Sequence, residues 1–224
     1  MNRLVNHQVN HQVNHQINKQ LKFKISLKAI GKTMRKSVLT SSLLAASLVA
    51  SSVFLPAVAA DYKIDHEGAH ASINFKASHL GFSILTGRFN TFSGNFSYDE
   101  SDISAAKISV TVDASSFDSN HALRDKHVRS DDFLDVAKFA QATFTSNKIE
   151  DKGNGKLLIM GDFTLHGITK PMIIDAVKVG EGDDPWGGNR LGFSGTTSIG
   201  MGDFGFKNDY GQVDLELHIE GIRQ

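Results

Sequence analysis

The chain has 224 residues, with 24 basic residues, 24 acidic residues and no cysteine. The lack of cysteine excludes disulfide bonds, thiol catalysis and thiolate metal sites. All acidic residues lie from Asp61 onward with only sixteen of the basic ones, so residues 61–224 carry a net charge of −8. This acidic balance argues against a nucleic-acid partner and against binding to anionic lipid head groups by bulk charge.

The first 33 residues contain a four-residue repeat of the type Val-Asn-His-Gln. A histidine repeat can indicate metal binding. A different interpretation is favoured here, because a typical export signal begins after the repeat, at Met34. We expect residues 1–33 to be a dispensable extension or the product of a start site assigned too early.

Residues 34–59 have the three regions of a secretory signal peptide. Met34-Arg35-Lys36 is a short basic start, residues 38–58 are apolar and small, and Ala57-Val58-Ala59 is a small-residue cleavage pattern. The sequence therefore predicts a cleavable signal and a periplasmic protein without a stable membrane span after cleavage. The mature domain is predicted to cover residues 60–224.

Alternation of apolar and polar residues, which is typical of half-buried strands, dominates the predicted mature domain. A phase break near Phe89 suggests a β-bulge. Turn sequences such as His166-Gly167 separate the alternating runs. Eight strands are predicted, in or around residues 71–79, 92–98, 108–112, 142–149, 157–165, 172–176, 191–199 and 213–219.

One stretch, residues 119–139, does not alternate and predicts one or two short helices. Ser119 or Asn120 is the expected N-cap of the first helix, and Ser130 that of the second. Asp131 and Asp132 suit the N-terminus of a helix.

Eight consecutive strands with polar outer faces predict an all-β fold, either an antiparallel sandwich or a closed barrel. An eight-stranded barrel is either filled by its own side chains or holds one small ligand. The predicted inward positions mix phenylalanines with alanines and glycines. This mixture is compatible with both a packed and a hollow interior.

Four long segments, in order, resemble the YceI-like family. The first is "DYKIDHEGAHASINFKASHLGFSILTGRFNTFSGNFSYD" at residues 61–99. The second is "HALRDKHVRSDDFLDVAKFAQATF" at residues 121–144. The last two are "GDFTLHGITKP" at residues 161–171 and "GDDPWGGNRLGF" at residues 182–193. The resemblance covers almost all of residues 61–224. One departure is Phe139-Ala140, where relatives often have a proline before the "QATF" segment.

The resemblance implies a lipocalin-like, eight-stranded antiparallel β-barrel with one or two short helices over one side. It also implies a secreted or periplasmic carrier. Because the sequence contains no nucleophile, zinc, phosphate-loop or dinucleotide motif, we expect no enzymatic activity, cofactor or metal. The expected partner is a long apolar lipid such as a polyisoprenoid, an isoprenoid quinone or a fatty-acid derivative. The sequence neither predicts nor excludes a homodimer. An edge or mouth of the barrel could mediate dimerisation, but no residue indicates it.

An apolar tube can bury such a lipid without catalysis, because burial stabilises by roughly 25 cal/mol per Å² of apolar surface. Thirteen of the fifteen phenylalanines lie in the predicted mature chain, and rings without polar groups suit such a tube. The predicted barrel lining, with His79 and Arg88 as candidates for the lipid head group, is Ile73, Phe75, His79, Phe82, Arg88, Phe89, Phe96, Phe144, Leu157, Ile159, Phe163 and Phe193.

An alternative hypothesis is a hydrolase or metal-dependent enzyme built on His121, Asp125 and His127. Residues four apart share a helix face, so His121 and Asp125 could form a general-base dyad. His127 lies about 120° around the helix from His121, so the two histidines do not converge on one metal. The competing interpretation is structural: an ion-paired, capped connection fixes the helices against the barrel, formed by Arg124, Asp125, Arg129 and Asp131.

Overall fold

The computed structural model describes residues 59–207 and 211–224. The predicted extension and all but the last residue of the predicted signal lie outside this range. The described residues form a single α-helix, α1 (Ala122–Val128), and eleven strand segments. The segments are β1 (Ala60–Ile64), β2 (Ser72–His79), β3 (Ser83–Phe89), β4 (Phe92–Tyr98), β5 (Lys107–Asp113), β6 (Phe117–Asp118), β7 (Gln141–Gly153), β8 (Lys156–Leu165), β9 (Ile168–Asp183), β10 (Asn189–Gly200) and β11 (Gln212–Arg223).

All pairings between these segments are antiparallel, and the sheet closes on itself where β1 pairs with β11. The closed ring contains the eight segments β1, β4, β5, β7, β8, β9, β10 and β11. The predicted all-β, eight-stranded antiparallel barrel is therefore confirmed, with one short α-helix.

Three of the barrel strands are interrupted, which is why eleven segments form eight strands. Strand β11 pairs through Gly221–Arg223 with β1 and through Val213–His218 with β2, so β1 and β2 follow one another along the same edge. In the same way β4 pairs with β1 while β3 pairs with β2. The break between β3 and β4 at residues 90–91 is the phase break that the alternation near Phe89 indicated.

Segments β2, β3 and β6 extend one side of the wall beyond the ring. The inner face of this extension is filled by Phe75, Phe89 and Phe117. The rings of Phe75 and Phe117 are stacked with centroids 4.9 Å apart, and Phe89 meets Phe117 edge-on at 5.8 Å. A Cβ on Gly87 would lie 2.3 Å from the Phe75 ring, so glycine is required there for the ring to lie against β3.

Large rings lie over glycines inside the barrel as well. A Cβ on Gly161 would lie 2.6 Å from the Phe144 ring, and a Cβ on Gly221 would lie 2.5 Å from the Phe96 ring. The mixture of phenylalanine and glycine thus allows close packing over some of the interior. The remaining inward positions enclose a cavity.

Helix α1 is capped differently from the prediction. The side chain of His121 is the N-cap, and its Nδ1 accepts a hydrogen bond from the backbone N–H of Arg124 at 3.2 Å. Asn120 has a left-handed φ of 61°, whereas an N-cap is extended, and the Ser119 hydroxyl is engaged by Asp125. Residues 131–134 form turns, so the optional second helix after Ser130 is absent from this described segment.

Candidate functional site

The barrel encloses a cavity of about 130 Å³ with an almost wholly apolar wall. Side chains from most of the strands converge on it because successive residues of a strand point to opposite faces, and one face of each is turned inward. Ser97, Thr143 and Thr197 are among the few polar residues of the wall. Seven predicted lining residues belong to the wall: Ile73, Phe96, Phe144, Leu157, Ile159, Phe163 and Phe193.

The cavity is smaller than the 300–1,000 Å³ that is usual for pockets that hold small molecules. Its wall consists of aliphatic and aromatic side chains without ion pairs among them. Met172 and Ile174 from β9 face Leu215 and Leu217 from β11 around it. A long ligand therefore requires some of these side chains to change rotamer, and none of those changes exposes a buried charge.

Five predicted lining residues lie elsewhere. Phe75 and Phe89 belong to the aromatic filling of the extension formed by β2, β3 and β6. His79, Phe82 and Arg88 are exposed on the hairpin of β2 and β3, and Phe82 is 85% exposed. Arg88 is paired with Asn74, on the face opposite to that of Phe89, so its side chain points outward. His79 and Phe82 lie at the tip of the hairpin, beyond the last pair between β2 and β11 at Ala77.

Sequence reasoning missed several wall residues, including Ile64, Tyr98 and Ile103. Ile64 ends β1, a segment too short to show alternation. Ile103 lies in the β4–β5 connection, where it begins a 3₁₀ turn, Ile103–Ala105. For these two residues the only signal is their apolar character, whereas Tyr98 could have been found, because it has the same strand parity as Phe96 in the predicted run 92–98.

The charged stretch from Ser119 to Asp131 holds the helix to the sheet. The Asp125 carboxylate is buried, and it accepts hydrogen bonds from the Ser119 backbone N–H at 3.0 Å and from the Ser119 hydroxyl. Arg124 donates from Nε to the Ser119 hydroxyl and from Nη2 to the Ser119 carbonyl, both at 2.7 Å. Arg129 donates to the carbonyl of Phe117 at 2.8 Å.

The three residues of the enzyme hypothesis are not brought together. His121 caps the helix, and Asp125 turns to Ser119. His127 lies edge-on to Phe133 at 4.9 Å, with its Nε2 3.7 Å from Asp132. The one hydrogen bond between them in the portion of the chain that the structure describes is a helical backbone bond, from the N–H of Asp125 to the carbonyl of His121 at 3.0 Å, and their side chains do not meet. The segment is a clamp between helix and sheet, as the structural interpretation predicted, but the predicted ion pairs are wrong: Arg124, Asp125 and Arg129 act through hydrogen bonds to Ser119 and the Phe117 carbonyl.

A second charged group lies at the β9–β10 end of the barrel and centres on Arg190. Its guanidinium donates to Asp65 and Glu220 from Nη1, both at 2.5 Å, and to Asp184 from Nε at 2.7 Å. The hydrogen bond from Arg190 is the main reason why the pKa of Asp65 falls to about 2, although burial opposes this shift.

The only group of metal-ligand type found among the described residues belongs to this second cluster. One ligand atom each from Asp65, His70 and Glu220 lie within 4.8 Å of one another. The guanidinium of Arg190 already contacts both carboxylates, and Asp65 also accepts from Nδ1 of His70 at 2.9 Å. A cation of the protein itself therefore neutralises this group, which explains it as a structural network.

Asp184 fixes the loop of the fourth signature segment. Its carboxylate accepts from the backbone N–H groups of Trp186 at 2.9 Å and Gly188 at 2.8 Å, besides Arg190. The Trp186 ring lies 5.6 Å from the guanidinium of Arg190. The signature residues of this loop thus serve the fold, and they leave the cavity wall without a motif of its own.

Comparison with known proteins agrees with this architecture. Residues 62–221 match the family model described as YceI-like domain. A UPF0312 protein of Shewanella baltica strain OS185 is 62% identical over 174 residues, which is 76% of this chain and 91% of that protein. A UPF0312 protein of Vibrio vulnificus strain YJ016 is 61% identical over 170 residues, covering 75% and 90%.

Solved structures show the same fold. The Campylobacter jejuni YCEI protein is 29% identical, with a TM-score of 0.60 over 66% of this chain and 91% of that one. BcnA of Burkholderia cenocepacia is 21% identical, with a TM-score of 0.63 over 70% and 98%. A polyisoprenoid binding domain from Saccharophagus degradans is 14% identical, with a TM-score of 0.54 over 73% and 98%.

Proposed function

The chain belongs to the YceI-like family, and on this premise we propose that it is a carrier that holds one long apolar lipid in its barrel. The observation that carries the proposal is the apolar cavity enclosed by the eight strands. A polyisoprenoid, an isoprenoid quinone or a fatty-acid derivative has the required chemistry, a long hydrocarbon chain with a small polar end.

Physical chemistry supports a binding role. Phe96, Phe144, Phe163 and Phe193 contribute rings without hydrogen-bonding groups to the wall. Transfer of a hydrocarbon chain from water onto such surfaces is favourable in proportion to the area buried. The name of the Saccharophagus structure points to the same class of ligand for that protein.

A direct test is equilibrium binding of a fluorescent polyprenol analogue to the domain of residues 60–224. We expect saturable binding at one site per barrel, with displacement by unlabelled polyprenol. The Ile159→Asp variant, which places a carboxylate in the wall, should not bind. Equal binding by this variant and the native domain would contradict a site in the cavity.

The predicted signal supports a second component of the proposal, that the carrier works in the periplasm. A lipid that crosses this aqueous space needs its whole chain shielded from water, and a barrel of this kind provides the shield. Within the described residues, no helix has the length and apolar character needed to span a membrane. Fractionation followed by N-terminal sequencing tests the proposal, and we expect a mature chain that starts at Ala60. An uncleaved chain in the cytoplasm would contradict it.

The enzyme hypothesis on His121, Asp125 and His127 has weaker support. All three side chains are engaged in capping, clamping or ring packing, as described above. We therefore assign the polar cluster to the fold and the function to the apolar interior.

A further inference from the structure

Strands β9 and β10 are paired along only a portion of their length. Their register runs from Asn189 opposite Asp183 to Thr196 opposite Asp175. Beyond this point β9 stays paired with β8 as far as Ile168, and β10 stays paired with β11 as far as Gly200. The two strands therefore splay apart and leave a slot in the barrel wall.

The slot has a volume of about 620 Å³ and lies directly against the apolar cavity. Four residues, Phe163, Met172, Thr197 and Leu215, line both spaces. One layer of side chains thus separates them. The ring of Phe163 meets the ring of Phe204 edge-on at 5.6 Å in this layer.

The barrel end next to the β9–β10 loop is closed by polar contacts. Tyr62, which is 1% exposed, donates from its hydroxyl to Glu181 at 3.1 Å. Lys178 donates to the same carboxylate at 2.9 Å and lies 5.1 Å from the centre of the Tyr98 ring. Entry through this end would break an ion pair and expose a buried ring.

The opposite end is covered by packed rings. Phe204 and Phe206 are buried, and His166 stacks on Phe206 with centroids 4.8 Å apart. Nδ1 of His166 lies 3.0 Å from the carbonyl oxygen of Phe204, which holds the cover to the β8–β9 turn. Entry through the slot requires movement of Phe163 and Phe204 and loss of the 2.7 Å hydrogen bond that the Thr197 hydroxyl donates across the gap to the Ile173 carbonyl. It leaves the Lys178–Glu181 ion pair and the stacked rings of His166 and Phe206 in place.

The charges around the slot select a kind of head group. Lys170 lies on β9 opposite Phe163 of β8 and has the same strand parity as Met172, whose side chain faces the cavity. No hydrogen bond or ion pair of Lys170 is found within the described ranges. The other charged residues of the slot are Lys76, Asp175, Asp203, Asp214 and Glu216, and Lys76 is paired with Glu216.

Four carboxylates against two ammonium groups make the slot unfavourable for an anionic head group, because like charges repel. A neutral hydroxyl or carbonyl oxygen avoids this repulsion. It can still accept a hydrogen bond from Lys170 or from the hydroxyl of Thr196, whereas the hydroxyl of Ser198 already donates to Asp214.

From this geometry we propose that the slot between β9 and β10 is a lateral portal for the lipid and the seat of an uncharged, hydrogen-bonding head group. The inference rests on the proposed carrier function. The hydrocarbon chain of the lipid then lies behind Phe163 and Phe204, and its polar end lies between Lys170 and the hydroxyl of Thr196.

A disulfide across the slot tests the portal, and the chain offers a background without cysteine. The double variant Ile173→Cys/Ser198→Cys places one thiol on each side of the splayed region. Its matched control is Val177→Cys/Ser194→Cys, which places two thiols on residues that face each other where β9 and β10 are still paired. The measurement is the rate at which each oxidised and reduced protein takes up the fluorescent polyprenol analogue from vesicles.

Oxidation of the slot variant should slow uptake by at least about tenfold, with full recovery on reduction, because closure of the slot removes the route of entry. The control should take up lipid equally fast in both states. Unchanged uptake by the oxidised slot variant would overturn the portal while lipid binding stands. A failure of the native protein to bind the analogue would overturn the carrier function itself, and the portal with it.

A second variant keeps the test decisive if the strands do not approach closely enough for a disulfide. Ser198→Cys alkylated with a bulky maleimide fills the slot, and Ser194→Cys with the same label is the control on the paired region of β10. Slow uptake by the first protein alone supports the portal. Equal rates for both labelled proteins would overturn it.

The head group is tested with polyprenol and polyprenyl phosphate of equal chain length, measured as competitors of the analogue. We expect the alcohol to compete at least about tenfold better, in line with the cost of a like-charge contact. The double variant Asp175→Asn/Asp203→Asn removes two of the four carboxylates, so it should reduce the preference for the alcohol over the phosphate. Stronger competition by the phosphate in the native protein would overturn the neutral head group.

Discussion

The charged segment from Ser119 to Asp131 and the apolar interior of the barrel contrast in how their side chains are used. In the segment, Asp125, Arg124 and Arg129 are each engaged with serine or backbone partners at the helix and the sheet edge. In the interior, hydrocarbon side chains border a space that they do not fill. A cluster of charges can thus be fully occupied by the fold, whereas unfilled apolar space remains available for a ligand.

The largest predicted effect is a loss of affinity for the lipid when a charged residue is placed in the apolar interior. Phe163→Asp should weaken binding of the polyprenol analogue by at least about 100-fold, because an unpaired carboxylate in an apolar wall is strongly disfavoured. Phe163→Leu keeps the wall apolar and should bind within a fewfold of the native domain. Fluorescence titration measures both, and a small effect of the aspartate would place the ligand elsewhere.

The clamp should show the opposite behaviour, with a large effect on stability and none on binding. Asp125→Ala leaves the backbone N–H and the hydroxyl of Ser119 without their buried acceptor, so we expect the free energy of unfolding to fall by about 2 kcal/mol. Denaturant unfolding measures this change. Asp131→Ala, at an exposed position, is the control and should stay within about 0.5 kcal/mol of the native domain.

If folded Asp125→Ala lost affinity for the analogue, the separation between clamp and cavity would be wrong. A bound metal lost in this variant would likewise support the enzyme hypothesis over the carrier.

The charged cluster around Arg190 should make the stability of the fold depend on pH. The Asp65 carboxyl has a pKa of about 2 in the folded protein, against 3.8 as its ordinary value. Its stabilising contribution of about 2 kcal/mol is therefore present above pH 5 and lost as the pH falls from about 5 to 2. Thermal unfolding measured across this range should show the loss.

Asp65→Asn should flatten the acid limb of this stability profile, and Asp61→Asn, at an exposed residue, should leave the limb unchanged. An acid limb that is the same in Asp65→Asn and the native domain would show that other carboxyl groups control it.

The smallest predicted effect concerns His121. Loss of the side-chain cap in His121→Ala should destabilise the domain by about 1 kcal/mol, and His121→Asn, which retains a capping acceptor, by less. Lipid binding should not change in either variant. A loss of binding or of a measurable activity in His121→Ala with normal stability would instead favour a functional role for this histidine.

The fold was largely predictable because alternation is a local signal. Each of the eight predicted runs corresponds to one barrel strand, and the irregularity near Phe89 marks a real break between β3 and β4. The pairing of β1 with the end of β11 was not predictable, because it depends on residues about 160 positions apart along the sequence. The capping role of His121 was also missed, since serine and asparagine are the commoner caps.

The candidate site was only partly predictable. Strand parity, which fixes the inward face of a strand, identifies Phe96, Phe144, Phe163 and Phe193. Parity does not tell whether an opposite wall exists, so Phe75 was assigned to the cavity although it fills the extension. The slot escaped prediction entirely, because it arises where two strands cease to pair and neither strand changes its own pattern.

Native mass spectrometry of the purified protein, followed by organic extraction, is the sharpest test of the carrier function. We expect one long-chain lipid bound per barrel in the native protein and none in Phe163→Asp, with His121→Ala still carrying lipid. A native protein that carries no lipid and instead holds a metal ion lost in His121→Ala would contradict it.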